Sequence, residues 1–244
     1  MRLRVGTSGW HYRDWRGAFY NEKLPTRTWL EQYAARFGTV ELNNTFYRLP
    51  DAATFRSWKA QTPGDFVFTV KASRFLTHYR RLRHPEEPVE RLLGAAGALD
   101  EKLGPVLMQL PPNFTVDVPA LEGVFDAFAG RARLACEFRD PSWYCDPVYE
   151  LMHEREGALC LADRRNRHTP LVRTAAWGFV RMHEGVATPR PHYGTRALAT
   201  WVDRIAELWG GTDECFVYFN NDHGACAVRD AFEFVALAEA RHAA

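Results

Sequence analysis

Eight short apolar runs recur along the chain, almost every one followed by a longer amphipathic stretch, and this alternation restricts the fold more than any other feature. The runs are LRVGTS (3–8), TVELNN (39–44), FVFTVK (66–71), PVLMQL (105–110), RLACEF (133–138), ALCLAD (158–163), GFVRMH (178–183) and CFVYFN (215–220). Their β-branched and aromatic content predicts strands. Helices are expected over 26–37, 53–61, 88–104, 119–130, 146–157, 195–211 and 227–242, with Gly104, Gly130, Gly157 and Gly210 as their stops. Strand six is followed only by the short candidate TPLVRTAA (169–176), so outer helices are expected to be irregular or missing in places. Eight such units in 244 residues, with no linker between them, predict one α/β domain spanning 1–244, a single (β/α)8 TIM-type barrel. An open doubly wound sheet is the rival, and no GxGxxG fingerprint follows the first strand.

VELNNTFY (40–47) begins as a buried strand and then turns polar, and FVYFNND (216–222) does the same. Every run ends this way: Ser8, Asn43, Lys71, Gln109, Glu137 with Arg139, Asp163, Arg181 with His183, and Asn220 with Asn221. In a parallel barrel the C-terminal strand ends form the ring where such folds keep their chemistry. Strand parity sets Glu41 on the face of Asn43, and Val40 and Leu42 on the other.

Glu41, Lys71, Glu137, Asp163, Arg181 and His183 are therefore the candidate catalytic groups. Carboxylates beside Lys or Arg stay ionised and suit a base, and a histidine moves protons near neutral pH. Trp10, Tyr12, Asn43, His78, Gln109, Arg139, Trp143, Tyr193, Asn220 and Asn221 are the candidate ligand-binding residues. A divalent metal held by Glu137, Asp163 and His183 is conceivable, but HExxH and HxH motifs are absent and a hydrogen-bonded acid cluster is favoured. No cofactor motif is present. A triad of Ser8, His183 and Asp163 lacks a GxSxG elbow.

The formal net charge of +1 points to no partner class, yet arginine is concentrated in three stretches expected on the catalytic face. Residues 73–85 carry Arg74, Arg80, Arg81 and Arg83, residues 164–173 carry Arg164, Arg165, Arg167 and Arg173, and residues 185–196 carry Arg190 and Arg196. None of the three holds an Asp or Glu. Guanidinium forks match phosphate, and Trp10, Tyr12, Trp15, Tyr47, Trp143 and Tyr193 supply rings for stacking. The five cysteines lack CxxC spacing and read as reduced thiols. With no leader pattern and no long apolar span, a soluble cytoplasmic protein without membrane contact is expected. Protein partners and oligomeric state are not legible.

GTSGWHYRDWRGAFY, VELNNTFYRLP, FVFTVKASRFLTH, KLGPVLMQLPP, CEFRDPSW, FVRMHEG and YFNNDHGACAVRDA, running from residue 6 to about residue 231, resemble the YecE-like domain-of-unknown-function family. The resemblance implies a TIM-type barrel and no established reaction. That barrel is similar to those of xylose-isomerase-like enzymes and metal-dependent apurinic endonucleases, a likeness of fold from which function does not follow. Asp140 stands where the family pattern has a histidine and Glu184 where it has a glycine, which bears on any site role at position 140.

The expectation is a polar site at the barrel mouth that binds or processes a phosphate-bearing ligand such as a nucleotide or nucleic acid, with a hydrolase or phosphodiesterase-like reaction as the enzymatic form. The alternatives are a non-catalytic nucleic-acid-binding module and a sugar isomerase or epimerase.

Overall fold

Parallel strands buried on both faces explain why the apolar runs are nearly continuous. The computed structural model describes residues 2–164, 167–211 and 214–243. Arg165 and the side chain of Arg167 lie outside the described residues. The strands are β1 Arg2–Thr7, β2 Thr39–Leu42, β3 Val67–Lys71, β4 Leu103–Gln109, β5 Leu134–Glu137, β6 Ala158–Arg164, β7 Arg167–His168, β8 Gly178–Met182 and β9 Glu214–Phe219. Their order is β1-β9-β8-β6-β5-β4-β3-β2, with the two-residue β7 antiparallel on β6. Eight parallel strands in this order, with helices between them, make the fold a (β/α)8 TIM-type barrel.

The helices are α1 Trp29–Ala34, α2 Ala52–Ala60, α3 Glu86–Ala96, α4 Val118–Phe128, α5 Asp146–Glu154, α6 Thr195–Trp209 and α7 Cys226–Ala243. The chain groups into two compact units. The first comprises Met1–Val40, Leu161–Leu171 and Ala176–Ala244, and the second Glu41–Cys160 and Val172–Ala175.

In the first unit the Trp29, Tyr33, Phe37 periodicity is a buried stripe, although α1 covers only its first half. Tyr20 stacks on Trp29 at 4.5 Å and Trp15 lies 6.4 Å from Tyr33 in a parallel arrangement. Burying each such ring contributes about 1.5–3 kcal/mol. The Tyr33 hydroxyl accepts from Thr7 N at 2.9 Å and donates to Thr39 O at 3.0 Å, locking β1 to the start of β2. In α6, Leu198, Trp201, Val202, Ile205 and Trp209 form the buried face at helical spacing.

The second unit fully buries Phe68, Val70, Val106, Leu107 and Met108 of its strands and buries Phe55, Leu92, Leu121 and Phe128 of its helices. Gly104, expected to stop a helix, lies inside β4 instead. The β3–β4 register slips between Phe68 and Val70, leaving an extra residue on the β4 side at Gly104–Pro105. A Cβ there would overlap Val67 and approach Phe68 O to 3.1 Å, so the glycine marks a bulge. Gly130, at φ +72°, does follow the end of α4.

The helix expected over 169–176 is absent. Pro170 removes a donor, and Thr169 and Thr174 serve the β6 main chain with their hydroxyls. Ala162 N donates to Thr169 Oγ1 at 3.1 Å. Leu159 N donates to Thr174 Oγ1 at 2.8 Å, and that hydroxyl donates to Gly157 O at 2.7 Å. Among the described residues no helix is long and apolar enough to cross a membrane. The five cysteines are free, and burial pushes the Cys136 thiol up to about 12.

Candidate functional site

In the second unit β3, β4 and β5 deliver Lys71, Gln109 and Glu137 side by side, because Gln109 and Glu137 are register partners across the ladder. The Lys71 ammonium donates to Gln109 Oε1 at 2.9 Å and sits over the Phe46 ring at 4.7 Å. Thr45 pins this corner by donating to Leu42 O and Lys71 O, both at 2.7 Å. Glu137 is fully buried and accepts from Arg139 Nε at 2.9 Å, an ion pair set two residues apart on one strand face. Glu41, at the end of β2, is fully buried as well.

His78 completes this cluster from a π-helix, Phe75–Tyr79, that follows β3. Its Nδ1 lies 2.9 Å from Thr77 Oγ1, and its ring meets the edge of Phe46 at 5.0 Å. Burial, and then Arg139, Lys71 and Arg74, push its pKa down to about 4. The imidazole is therefore neutral at pH 7, held so first by burial and then by the cations around it. Irregular helix turns of this kind occur frequently at functional sites.

Trp143 has its indole fully buried, stacked on Phe138 at 4.8 Å, with Nε1 donating to Phe114 O at 2.6 Å. It roofs the core and offers no free face. Asp140 caps the short turn Pro141–Trp143 by accepting from Ser142 N at 3.0 Å and Ser142 Oγ at 2.6 Å. Those hydrogen bonds hold its carboxyl below its ordinary range. Asn43 leads into the turn Asn44–Phe46 that presents Thr45 and Phe46.

In the first unit β6, β8 and β9 bring a second group together. Arg181 is buried with its guanidinium 3.4 Å from His183 Nε2, and Asn220 Nδ2 lies 3.0 Å from His183 Nδ1. The Asp163 carboxylate accepts from Trp201 Nε1 at 3.0 Å. Its carbonyl takes His183 N at 3.1 Å. Asp163, Tyr193, Trp201, Arg196 and Arg204 line a cavity of about 600 Å³. Trp10 and Tyr12 are half-buried, the latter donating through its hydroxyl to Ser8 O. Trp15 is core, with Nε1 donating to Asp222 Oδ1 at 2.6 Å.

Sequence reasoning missed the centre of this first-unit network, Asp230 on α7. Its buried carboxylate accepts from Asn221 Nδ2, from Tyr193 N at 3.1 Å and from His192 Nδ1. Burial raises its pKa. Tyr193 in turn is buried, its hydroxyl accepting from Glu184 N at 3.0 Å within the loop 184–194, which is tied to Asp230 on α7 and to Asn221, whose Nδ2 donates to Pro191 O at 2.9 Å. Among the described residues, the one group of three or more His, Cys, Asp and Glu ligand atoms within 4.8 Å of one another is His192, Asp230 and Glu233. Asp222 was also missed, and burial pushes it up to about 6. His192 and Asp222 fall in segments whose polar residues resemble ordinary loop, and Asp230 and Glu233 lie on α7, where polar residues resemble a solvent-facing helix side.

The fold defines the class: a (β/α)8 barrel with polar groups at the C-terminal ends of its strands. Residues 4–244 match the model of the family described as "Protein of unknown function DUF72", and the chain belongs to that family. It is 31% identical over 147 residues to the UPF0759 protein YecE of Escherichia coli K12, covering 58% of this chain and 54% of that protein. The matched part thus spans about half the length of that relative. Over 269 aligned residues it is 27% identical to the UPF0759 protein YunF of Bacillus subtilis, covering 96% of this chain and 94% of the other. A DUF72 family protein from Thermotoga maritima superposes with a TM-score of 0.86 at 29% identity, covering 98% of this chain and all of that one. One from Enterococcus faecalis does so at 0.82 and 21% identity, over 97% of this chain and 95% of the other, which speaks to fold alone.

Proposed function

We propose that the cluster at the ends of β3, β4 and β5 binds a phosphate-bearing ligand, a nucleotide or a nucleic acid. The observation that carries this reading is His78. Three cations, Arg139, Lys71 and Arg74, gather around one imidazole and add to its burial in pushing its pKa down. A group of cations that suppresses protonation of a neighbour is a field that attracts an anion. Glu137 offsets one of them by pairing with Arg139.

Neutral His78 accepts a hydrogen bond or a proton and does not supply one at pH 7, so binding is better supported than acid catalysis. An anion seated among Lys71, Arg74 and Arg139 would offset their charge and raise the His78 pKa, bringing proton transfer within reach once ligand is present.

The test is an NMR titration of the His78 ring with and without inorganic phosphate, nucleoside monophosphates and a neutral sugar. The expected result is an upward shift of the His78 pKa with the phosphate compounds alone. A response to the neutral sugar only would transfer support to an isomerase or epimerase. Turnover of a phosphodiester by the wild type, lost in Glu137→Gln, would add the hydrolytic step.

A further inference from the structure

Beside the cationic cluster, and sharing Arg74 with it, the loop after β2 and the π-helix after β3 enclose a groove of about 650 Å³. Three of its rings face solvent: Tyr47 is 78% exposed, Tyr79 66% and Phe75 44%. Exposed aromatic rings clustered around one groove are unusual on a surface with no ligand to cover them. The π-helix explains how they come to stand there. Its wide turn sets Phe75 and Tyr79 toward the groove while His78 turns inward against Phe46.

The groove is also cationic. Arg48, Arg74 and Arg91 line it, and none of them forms an ion pair among the described residues. Its one acidic residue, Glu87, is paired with Arg80 at 3.3 Å. Guanidinium groups already lie over two of the rings, Arg74 over Tyr79 at 4.9 Å and Arg80 over Phe75 at 4.5 Å. Flat guanidinium and ring faces in alternation match the alternating phosphates and bases of an unpaired strand. The segment that follows carries Arg81, Leu82 and His84 at φ between 47° and 65°, the left-handed region, a strain that concentrates at binding loops. Phe46 joins groove and cluster, since it lines the one and carries Lys71 and His78 on its ring in the other.

We propose that this groove binds single-stranded nucleic acid, with bases stacked on Tyr47, Phe75 and Tyr79 and phosphates held by Arg48, Arg74 and Arg91. The inference rests on the phosphate reading of the neighbouring cluster and names its substrate class: a strand whose bases are free to stack. A duplex keeps its bases in its own stack, so it meets the arginines alone. A protein partner and a bare polyanion surface are the competing occupants.

The experiment measures fluorescence anisotropy of a labelled oligothymidylate of about twelve nucleotides, within the usual site size for single strands. It compares wild type, Tyr47→Ala, Phe75→Ala, Tyr79→Ala and Lys71→Met, with the matching duplex and heparin as competitors. Each ring removed should weaken the oligomer by about 5- to 150-fold. The melting temperature should stay close to wild type for Tyr47→Ala and Tyr79→Ala, whose rings are largely exposed, and fall modestly for Phe75→Ala, whose ring is 44% exposed. Raising salt from about 50 to 200 mM should weaken binding steeply in the wild type. Tyr79→Phe should keep most of the affinity, since it keeps the ring.

No binding by the wild type at low salt overturns the inference, as does equal competition by heparin with the ring variants unchanged. Equal affinity for duplex and single strand overturns it too. If the ring variants bind normally while Lys71→Met does not, the groove fails and the cationic cluster stands. If the ring variants lose the oligomer while phosphate leaves the His78 titration unmoved, the groove stands and the cluster reading fails.

Discussion

The polar cluster around Asp230 and the one around His78 are made of the same kinds of residue and do opposite things. At Asp230 one carboxylate meets three donors, and these bonds fasten the loop 184–194 to α7. At His78 a half-buried imidazole stands among Arg139, Lys71 and Arg74, with its ring against Phe46 and with Glu137 paired to Arg139. A carboxylate that collects donors from one loop stabilises a conformation, whereas cations gathered around a neutral ring offer their charge to a ligand. The same residue types can therefore mean scaffold or site, and only the balance of partners tells which.

The largest expected effect breaks the scaffold side of this contrast. Asp230→Ala removes the buried acceptor shared by Asn221, His192 and Tyr193, three hydrogen bonds at once, and should destabilise the protein by about 3–5 kcal/mol in denaturant unfolding. Its folded fraction should keep wild-type affinity for a phosphate ligand. Lys71→Met should do the reverse, with a stability loss of about 1–3 kcal/mol and loss of the phosphate-induced shift at His78. Equal behaviour of the two variants in both assays would erase the distinction between the clusters.

Trp201→Phe sharpens the first-unit picture. It removes the indole donor to Asp163 while keeping an aromatic ring, and should cost about 0.5–1.5 kcal/mol by thermal unfolding.

The smallest effect is in the pH dependence of stability, where His78 and Asp222 oppose each other. The His78 pKa is lowered to about 4, so its contribution is intact above 6.5 and is lost as pH falls toward 4. Asp222 is raised to about 6, so its carboxylate disfavours folding at neutral pH, and that penalty is relieved as pH falls from about 6 toward 3.8. Going from pH 6.5 to 4, His78→Gln should gain stability relative to wild type and Asp222→Asn should lose it. Denaturant midpoints across that range would show the two variants diverging; parallel curves would remove the electrostatic account of His78.

How much was legible follows from the range over which each signal acts. Strand positions could be read to within one or two residues because runs buried on both faces need continuous apolar side chains, and the polar residues at their ends mark where that burial stops. Gly104 misled because the same residue that stops a helix also permits a bulge, and only the pairing of β3 with β4 decides between them. Thr169 and Thr174 read as part of a weak helix because their hydroxyl partners on β6 and at Gly157 lie 7 to 17 residues away in the chain.

By itself, then, the sequence determined the alternation of strands and helices, the polar strand ends and the surplus of arginine after β3, all of which depend on local composition and spacing. The tertiary structure decided which of those groups are spent on each other. It buried Trp143 and Trp15, joined Asp230 to three distant donors, and turned Phe75 and Tyr79 outward from a π-helix that no periodicity announces. The physical reason is that hydrogen-bond saturation and electrostatic balance are sums over neighbours in space, and neighbours in space are what folding creates.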